Sequence, residues 1–308
     1  MTTMVVLVGG QPLPNLLPIN HFRPDAVLFV YTDTTAGVYE RLRLTVQGKT
    51  QVLEQPVNAY HIPEITNKLE NRLNEPDILG SDLVFNLTGG TKPMSLAAFQ
   101  VAQSRRSPVL YLESEQMQTR VYRYSWDQAG RSEYGHDELL PPCTTIGEFL
   151  DVHFGPGAWT EQGPAPLEGG SFERALAQTL SPPNAIKPVD DLMLGVKAMA
   201  GQIDLDVVLQ VGNQFGIIEA KAGENGRKLD GIKQLVSASR HLGTYTQLLY
   251  AISVEPTPAH DVLRDASRIK VIPLRNYRPN TEVLSTVDTD TLLTAIAEHM
   301  GYAGRTPD

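Results

Sequence analysis

The 308-residue sequence predicts an α/β protein of two domains: an N-terminal doubly wound, mainly parallel sheet, then a second α/β domain of different strand order. Three observations predict it. Four nearly continuous apolar runs in the first part of the chain alternate with helix-like stretches, and the first three end in glycine or aspartate. A tract dense in Pro and Gly follows them. Beyond it come a helical pattern and two strand-like segments about a Gly-Asn pair.

Met4–Val8 runs into Gly9-Gly10, Ala26–Thr32 into Asp33, and Asp82–Thr88 into Gly89-Gly90. Pro108–Ser114 follows the helical pattern PMSLAAFQVAQSRR. Runs this rich in Val, Leu and aromatics suit strands buried on both faces. Strand, glycine turn, helix, strand is the order of a parallel sheet, whose ligands sit outside the carboxyl ends of the strands near the switch point. Gly9-Gly10, Asp33 and Thr88–Lys92 all fall at such ends. Thr119–Trp126 alternates, as a strand near an edge does. From about Ser125 to Gly170 Pro and Gly mark linker or loop, which places a boundary near residue 140 and domains at 1–140 and 141–308. SRRSP (Ser104–Pro108) reads as a helix C-terminus with favourable charge. In the second domain TIGEFLDVHF opens as a short helix. Ser171–Leu180 is helical, with Ser171 as N-cap. QIDLDVVLQV and QFGIIEAKA form a hairpin about Gly212-Asn213. DGIKQLVSASRHLG is a helix ending at Gly243, TQLLYAISV and RIKVIPL are strands, and DTDTLLTAIAEHM is a helix.

Apolar residues make up 41% and charged residues 20%, an ordinary globular balance. One cysteine, Cys143, excludes an intrachain disulfide and suits a reducing cytosol. A net charge of -9 argues against bulk, nonspecific nucleic-acid binding but leaves open a local basic groove and metal-assisted chemistry. The start MTTMVVLVGGQPLP has no basic n-region, and no run approaches about 18 apolar residues. The expectation is a cytoplasmic protein with no membrane part. Seven scattered histidines, without an H-x-H or H-E-x-x-H pair, give no zinc signal.

The hairpin carries the chemistry. If Val211 faces Gln214, then Asp206 lands opposite Glu219 and Asp204 opposite Lys221. Residues two apart share a face, so all four would line one side of the ribbon. A slip of one residue would undo this. Asp206 and Glu219 supply hard oxygen ligands for Mg²⁺ or Mn²⁺. Lys221 can orient a water or stabilise charge building on a phosphate. Glu173, on the preceding helix, is placed to complete the metal shell. The plain alternative is a solvated charged face. A helical Glu, a strand Asp, a strand E-x-K and a helix bearing Gln234, in this order, resemble the PD-(D/E)xK nuclease superfamily over about Ser171 to Leu274. Leu205-Asp206 stands where the leading Pro-Asp would be. The resemblance implies a restriction-endonuclease-like domain, with Asp206, Glu219, Lys221, Glu173 and Gln234 as catalytic residues. It implies Glu173, Asp206, Glu219 and Ala220 as the metal set.

NLTGGTKPM (Asn86–Met94) fits neither the Walker pattern G-x-x-x-x-G-K-[ST] nor G-x-G-x-x-G. Two glycines at a helix start make an anion-binding concavity, although a tight turn alone would explain them. This motif, with LVGGQPLPNLL after the first strand, resembles the Rossmann-like CARF domain of CRISPR-associated proteins. A CARF domain joined to a PD-(D/E)xK domain resembles a family of CRISPR ancillary nucleases, and the likeness covers nearly the whole chain. It implies a homodimer that binds a cyclic oligoadenylate, preferably cyclic tetra-adenylate, and cuts DNA, RNA or both in type III CRISPR defence. It implies ligand contacts from Gly9, Gly10, Gln11 and Asn15 in the first loop, from Asp33, and from Thr88, Gly89, Gly90, Thr91 and Lys92. A sensor with a silent nuclease domain, and a ring nuclease that cleaves the cyclic ligand, remain open.

Overall fold

The computed structural model describes residues 1–115, 118–164, 168–181, 189–260, 262 and 268–300. The chain divides into two compact units. One is Met1–Thr144 with Asp151–Pro156, the other Thr145–Leu150 with Gly157–Asp308.

The first unit runs β1 (Thr2–Leu7), α1 (Leu13–Phe22), β2 (Ala26–Tyr31), α2 (Ala36–Val46), β3 (Gln51–Pro56), α3 (Ile62–Leu73), β4 (Asp82–Asn86), α4 (Lys92–Ser104), β5 (Val109–Glu115), β6 (Gln118–Trp126) and β7 (Ser132–Leu139). The sheet order is β3-β2-β1-β4-β5-β6-β7. Strands β1 to β5 pair in parallel, and β6 and β7 are antiparallel. The order reverses between β1 and β4, so the loops after these two strands meet at the switch point. Val5, Leu7, Leu28, Phe85, Met94 and Val101 centre the core. In this unit two strands lie where the sequence pattern gave none, one of them, β7, within the stretch read as linker or loop. β3 is an edge strand with one buried residue, Leu53, and β7 an edge strand with none. Each is held by its neighbour's ladder, so neither needs the apolar run that marks a central strand. Arg105 pairs with Glu70 of α3 at 2.5 Å, so this part of SRRSP ties helix to helix.

The second unit follows α5 (Ile146–Phe154) with β8 (Trp159–Glu161), α6 (Glu168–Leu180), β9 (Asp191–Ala198), β10 (Ile203–Val211), β11 (Gln214–Lys221), α7 (Asp230–Leu242), β12 (Gln247–Ile252), β13 (Ile269–Pro273) and α8 (Thr286–Met300). Its sheet order is β13-β12-β11-β10-β9-β8, antiparallel from β8 to β11 and parallel from β11 to β13. Ser171 is not an N-cap. The helix starts at Glu168, and Gly170, Ser171 and Phe172 are buried in it. Packing outweighs the weak helix propensity of the glycines. The β10–β11 turn is as read: Gly212 has φ +62°, the positive value wanted at the first central position of a type II′ turn. Val211 pairs with Gln214, and the register continues to Val207 opposite Ile218.

Candidate functional sites

At the open end of the hairpin the backbone ladder stops and side chains take over. The Ala220 amide donates to Asp206 Oδ2 at 2.8 Å. Lys221 Nζ lies 2.6 Å from Glu219 Oε1 and 3.4 Å from Asp206 Oδ2. Three of the four predicted side chains therefore converge. Asp204 does not: it is half exposed and pairs with Lys197 of β9 at 3.5 Å, because β10 continues its ladder with β9 after it has left β11. Glu173 is buried on α6 and Gln234 is exposed on α7. Ala220 is buried and pairs with Ala251 of β12. Among the described residues no group of three Asp, Glu, His or Cys side chains is already gathered for a metal.

The site's electrostatics follow from burial. The Glu219 side chain is 3% exposed and that of Lys221 27%. Burial, then the charge of Asp206, raises the Glu219 carboxyl to about 8, against the pull of Lys221. Burial also raises Asp206, opposed by Lys221 and the Ala220 amide. Burial works against the charge on Lys221, but Glu219 and Asp206 outweigh it and hold its pKa above the ordinary lysine value. One ammonium thus serves two desolvated carboxylates. Such a pair of hard oxygen donors, short of positive charge, fits Mg²⁺ or Mn²⁺. Tyr250 is a neighbour that sequence reasoning missed. It pairs with Glu219 across β11–β12, is fully buried, and donates to the Lys228 carbonyl at 3.3 Å. Burial pushes its hydroxyl up to about 12. Inside the apolar run TQLLYAISV nothing marked it.

At the switch point of the first unit, the loops after β1 and β4 touch backbone to backbone. A Cβ on Gly89 would lie 2.0 Å from the Leu7 carbonyl oxygen, and one on Gly9 3.0 Å from the Gly90 nitrogen. Asn86, quoted in the motif but given no role, is the bracket. Pro18 lacks an N–H, so the Pro14 carbonyl has no helical donor. The Asn86 amide donates to it at 3.0 Å. Asn86 Oδ1 in turn accepts from the Thr88 hydroxyl at 2.7 Å and the Thr88 N–H at 3.1 Å.

Several of the side chains expected to contact the ligand also bond within the protein. Asn15 is fully buried and donates to the Leu7 carbonyl at 3.1 Å, so it braces the loop rather than facing an adenine. The Thr88 hydroxyl also accepts from the Leu112 N–H at 2.8 Å. That of Thr91 donates to the Ala59 carbonyl at 2.6 Å and caps α4 by accepting from Met94 N–H. Gly10, Lys92 and Asp33 are exposed, and Gly9, Gln11, Gly89 and Gly90 are partly so. Lys92 opens α4, where the positive end of the helix favours anions.

Residues 3–131 match the family model of the Card1 CARF domain, so the first unit carries a CARF domain. No curated protein matches the sequence. Among solved structures, Can2 from Sulfobacillus thermosulfidooxidans, in complex with cyclic tetra-adenylate, aligns with a TM-score of 0.73 and 18% identity over 98% of this chain and 100% of that one. A Vibrio cholerae protein aligns with a TM-score of 0.68 and 14% identity over 98% and 97%. A type III CRISPR defence DNA nuclease activated by cyclic oligoadenylate aligns with a TM-score of 0.64 and 16% identity, over 96% of this chain and 51% of that one. These likenesses are of fold. The expected α/β architecture, a mainly parallel CARF sheet followed by a second α/β unit, is the one found.

Proposed function

We propose that this CARF-domain protein is a metal-dependent nuclease of type III CRISPR defence. It is switched on by a cyclic oligoadenylate, cyclic tetra-adenylate in the first instance. The observation that carries the reading is the buried Asp206–Glu219 pair bridged by Lys221, on a chain that also bears a CARF domain. The chain shares its fold with a protein solved with cyclic tetra-adenylate and with one described as a cyclic-oligoadenylate-activated DNA nuclease, which supports both halves.

Asp206 and Glu219 would hold Mg²⁺ or Mn²⁺, with Ala220 beside them and Glu173 as a further ligand. When bound there, the ion would supply an activated water and neutralise charge on the scissile phosphate. Lys221 gives up its place between the carboxylates and donates to a phosphate oxygen as negative charge builds there. Gln234 is assigned to substrate or water positioning. In the sensor the Gly9–Gln11 and Gly89–Thr91 backbones, Lys92 and Asp33 face the ligand. A homodimer presents each loop twice, which matches a twofold ring. The nucleic-acid substrate is DNA, RNA or both, and the setting is the cytoplasm. No helix among the described residues is long and apolar enough to cross a membrane. The ring-nuclease alternative is weakened because the hydroxyls of Thr88 and Thr91 are already bonded within the protein.

The test is incubation with plasmid, single-stranded DNA and RNA, with Mn²⁺ or Mg²⁺, with and without each cyclic oligoadenylate. The expected result is cutting that needs both metal and one ring size. No cutting under any combination would favour the silent sensor.

A further inference from the structure

We infer that Tyr60 is a base-stacking residue of the sensor site, a role resting on the cyclic-oligoadenylate reading above. Tyr60 lies in the connection from β3 to α3, outside both loops singled out by the motifs. It is 77% exposed, more than any other large hydrophobic side chain described. An aromatic ring left that bare gains little from folding, because burial of its apolar surface is what an aromatic normally contributes.

The backbone beneath the ring is fixed. Asn58 Oδ1 accepts from the Tyr60 N–H at 2.9 Å. The Ala59 carbonyl accepts the Thr91 hydroxyl at 2.6 Å. His61 Nδ1 caps α3 by accepting from the Glu64 N–H at 3.1 Å. Residues on both sides of Tyr60 are therefore tied down, one of them directly to the glycine-rich loop. A ring on a rigid base loses little entropy when something stacks on it, which is what makes tyrosine a good contact residue.

Thr91 is the hub. Its hydroxyl holds the segment that carries Tyr60, and the next residue in the chain is Lys92, an exposed cation at a helix N-terminus. A flat aromatic face and a phosphate-seeking charge, carried on segments joined through Thr91, match the two halves of a nucleotide. Aromatic stacking accepts any base. Tyr60 thus adds affinity for the nucleobase, while the choice of adenine rests on other groups.

The test is calorimetric titration of cyclic tetra-adenylate into the full-length parental protein and into Tyr60→Phe, Tyr60→Leu and Tyr60→Trp, with mass by light scattering for each. Stacking contributes ~1–3 kcal/mol per base, or about 5- to 150-fold in affinity. Phe should bind like the parent, and Leu should weaken binding within that range with melting temperature and mass unchanged. The emission of Tyr60→Trp, less that of the parent, should be quenched on titration. Equal affinity of the Leu variant, or an unquenched tryptophan, would overturn the inference while leaving the sensor reading intact. A lower mass for the Leu variant would also overturn it, making Tyr60 a subunit contact. Absence of binding by the parent itself would overturn the sensor reading, and Tyr60's role with it.

Discussion

The Lys221 ammonium sits between two carboxylates that burial has made hard to ionise together. Removing different members of this trio should have different consequences. Glu219→Ala deletes a carboxylate proposed to hold the metal, and Lys221→Ala deletes the cation but leaves both carboxylates. Lys221→Ala should lower cutting about a hundred- to a thousandfold, the usual cost of losing an electrostatic stabiliser at a transition state, and Glu219→Ala should nearly abolish it. Cyclic oligoadenylate should still bind both variants. Calorimetry should show Mn²⁺ binding retained by Lys221→Ala and lost in Glu219→Ala. Parental cutting rates in both would end the nuclease assignment. The pH dependence of stability has a definite sign. Glu219 holds its proton to about 8 in the folded, metal-free protein, against the ordinary 4.5. Its favourable contribution is complete below the lower value and is lost as pH rises through the upper one, since the unfolded chain releases that proton earlier. Glu219→Gln carries no such proton. In EDTA its melting temperature relative to the parent should therefore climb between about pH 5 and about pH 9. A flat difference would show that the carboxylate pair is solvated.

Between residues and the whole lie the elements, where legibility varied for physical reasons. The hairpin could be read residue by residue because a strand has period 2 and the Gly212 turn fixes the register. Reading one pair too far misplaced Asp204, because no pattern announces where a side chain, here Asp206, replaces the ladder. The edge strands β3 and β7 carry little apolar signal of their own. The glycine-rich loops were legible as loops, but not the direction of their polar groups. Asn15, Thr88 and Thr91 look like ligand contacts in a list of residues, yet their hydrogen bonds go to Leu7, Leu112 and Ala59. The glycines let the two loops approach each other closely. In Gly89→Ala the new methyl would meet the Leu7 carbonyl oxygen at 2.0 Å, so the β1 and β4 loops would have to part. Overpacking of this kind costs ~1–3 kcal/mol. Denaturant unfolding should show that loss, and cyclic tetra-adenylate should bind more weakly. Unchanged stability would mean that the two loops do not pack as closely as they do here.

Over the whole chain, the CARF unit and the hairpin unit each have their own core; on the proposed function, a ligand of one would act on the other by shifting the population between conformations. Coupling between sites is commonly ~1–3 kcal/mol, or about 5- to 150-fold. On the proposed function, cyclic tetra-adenylate should raise cutting by at least about an order of magnitude, which lies within that range. Rate alone is a poor test, because an effector can change a catalytic step without any matching change in binding. Linkage supplies a stricter one. If the ring tightens binding of a phosphorothioate nucleic acid in the presence of metal, that nucleic acid must tighten binding of the ring by the same factor. Two titrations measure the two factors independently. The first adds uncleavable nucleic acid with and without saturating cyclic tetra-adenylate, and the second reverses the roles. Lys221→Ala, with its carboxylates in place, should preserve the equality even though cutting is lost. A ring that speeds cutting while both factors stay at one would place its effect on the chemical step alone. A ring that neither speeds cutting nor shifts either affinity would leave the two units without communication, and the proposed switch would be wrong.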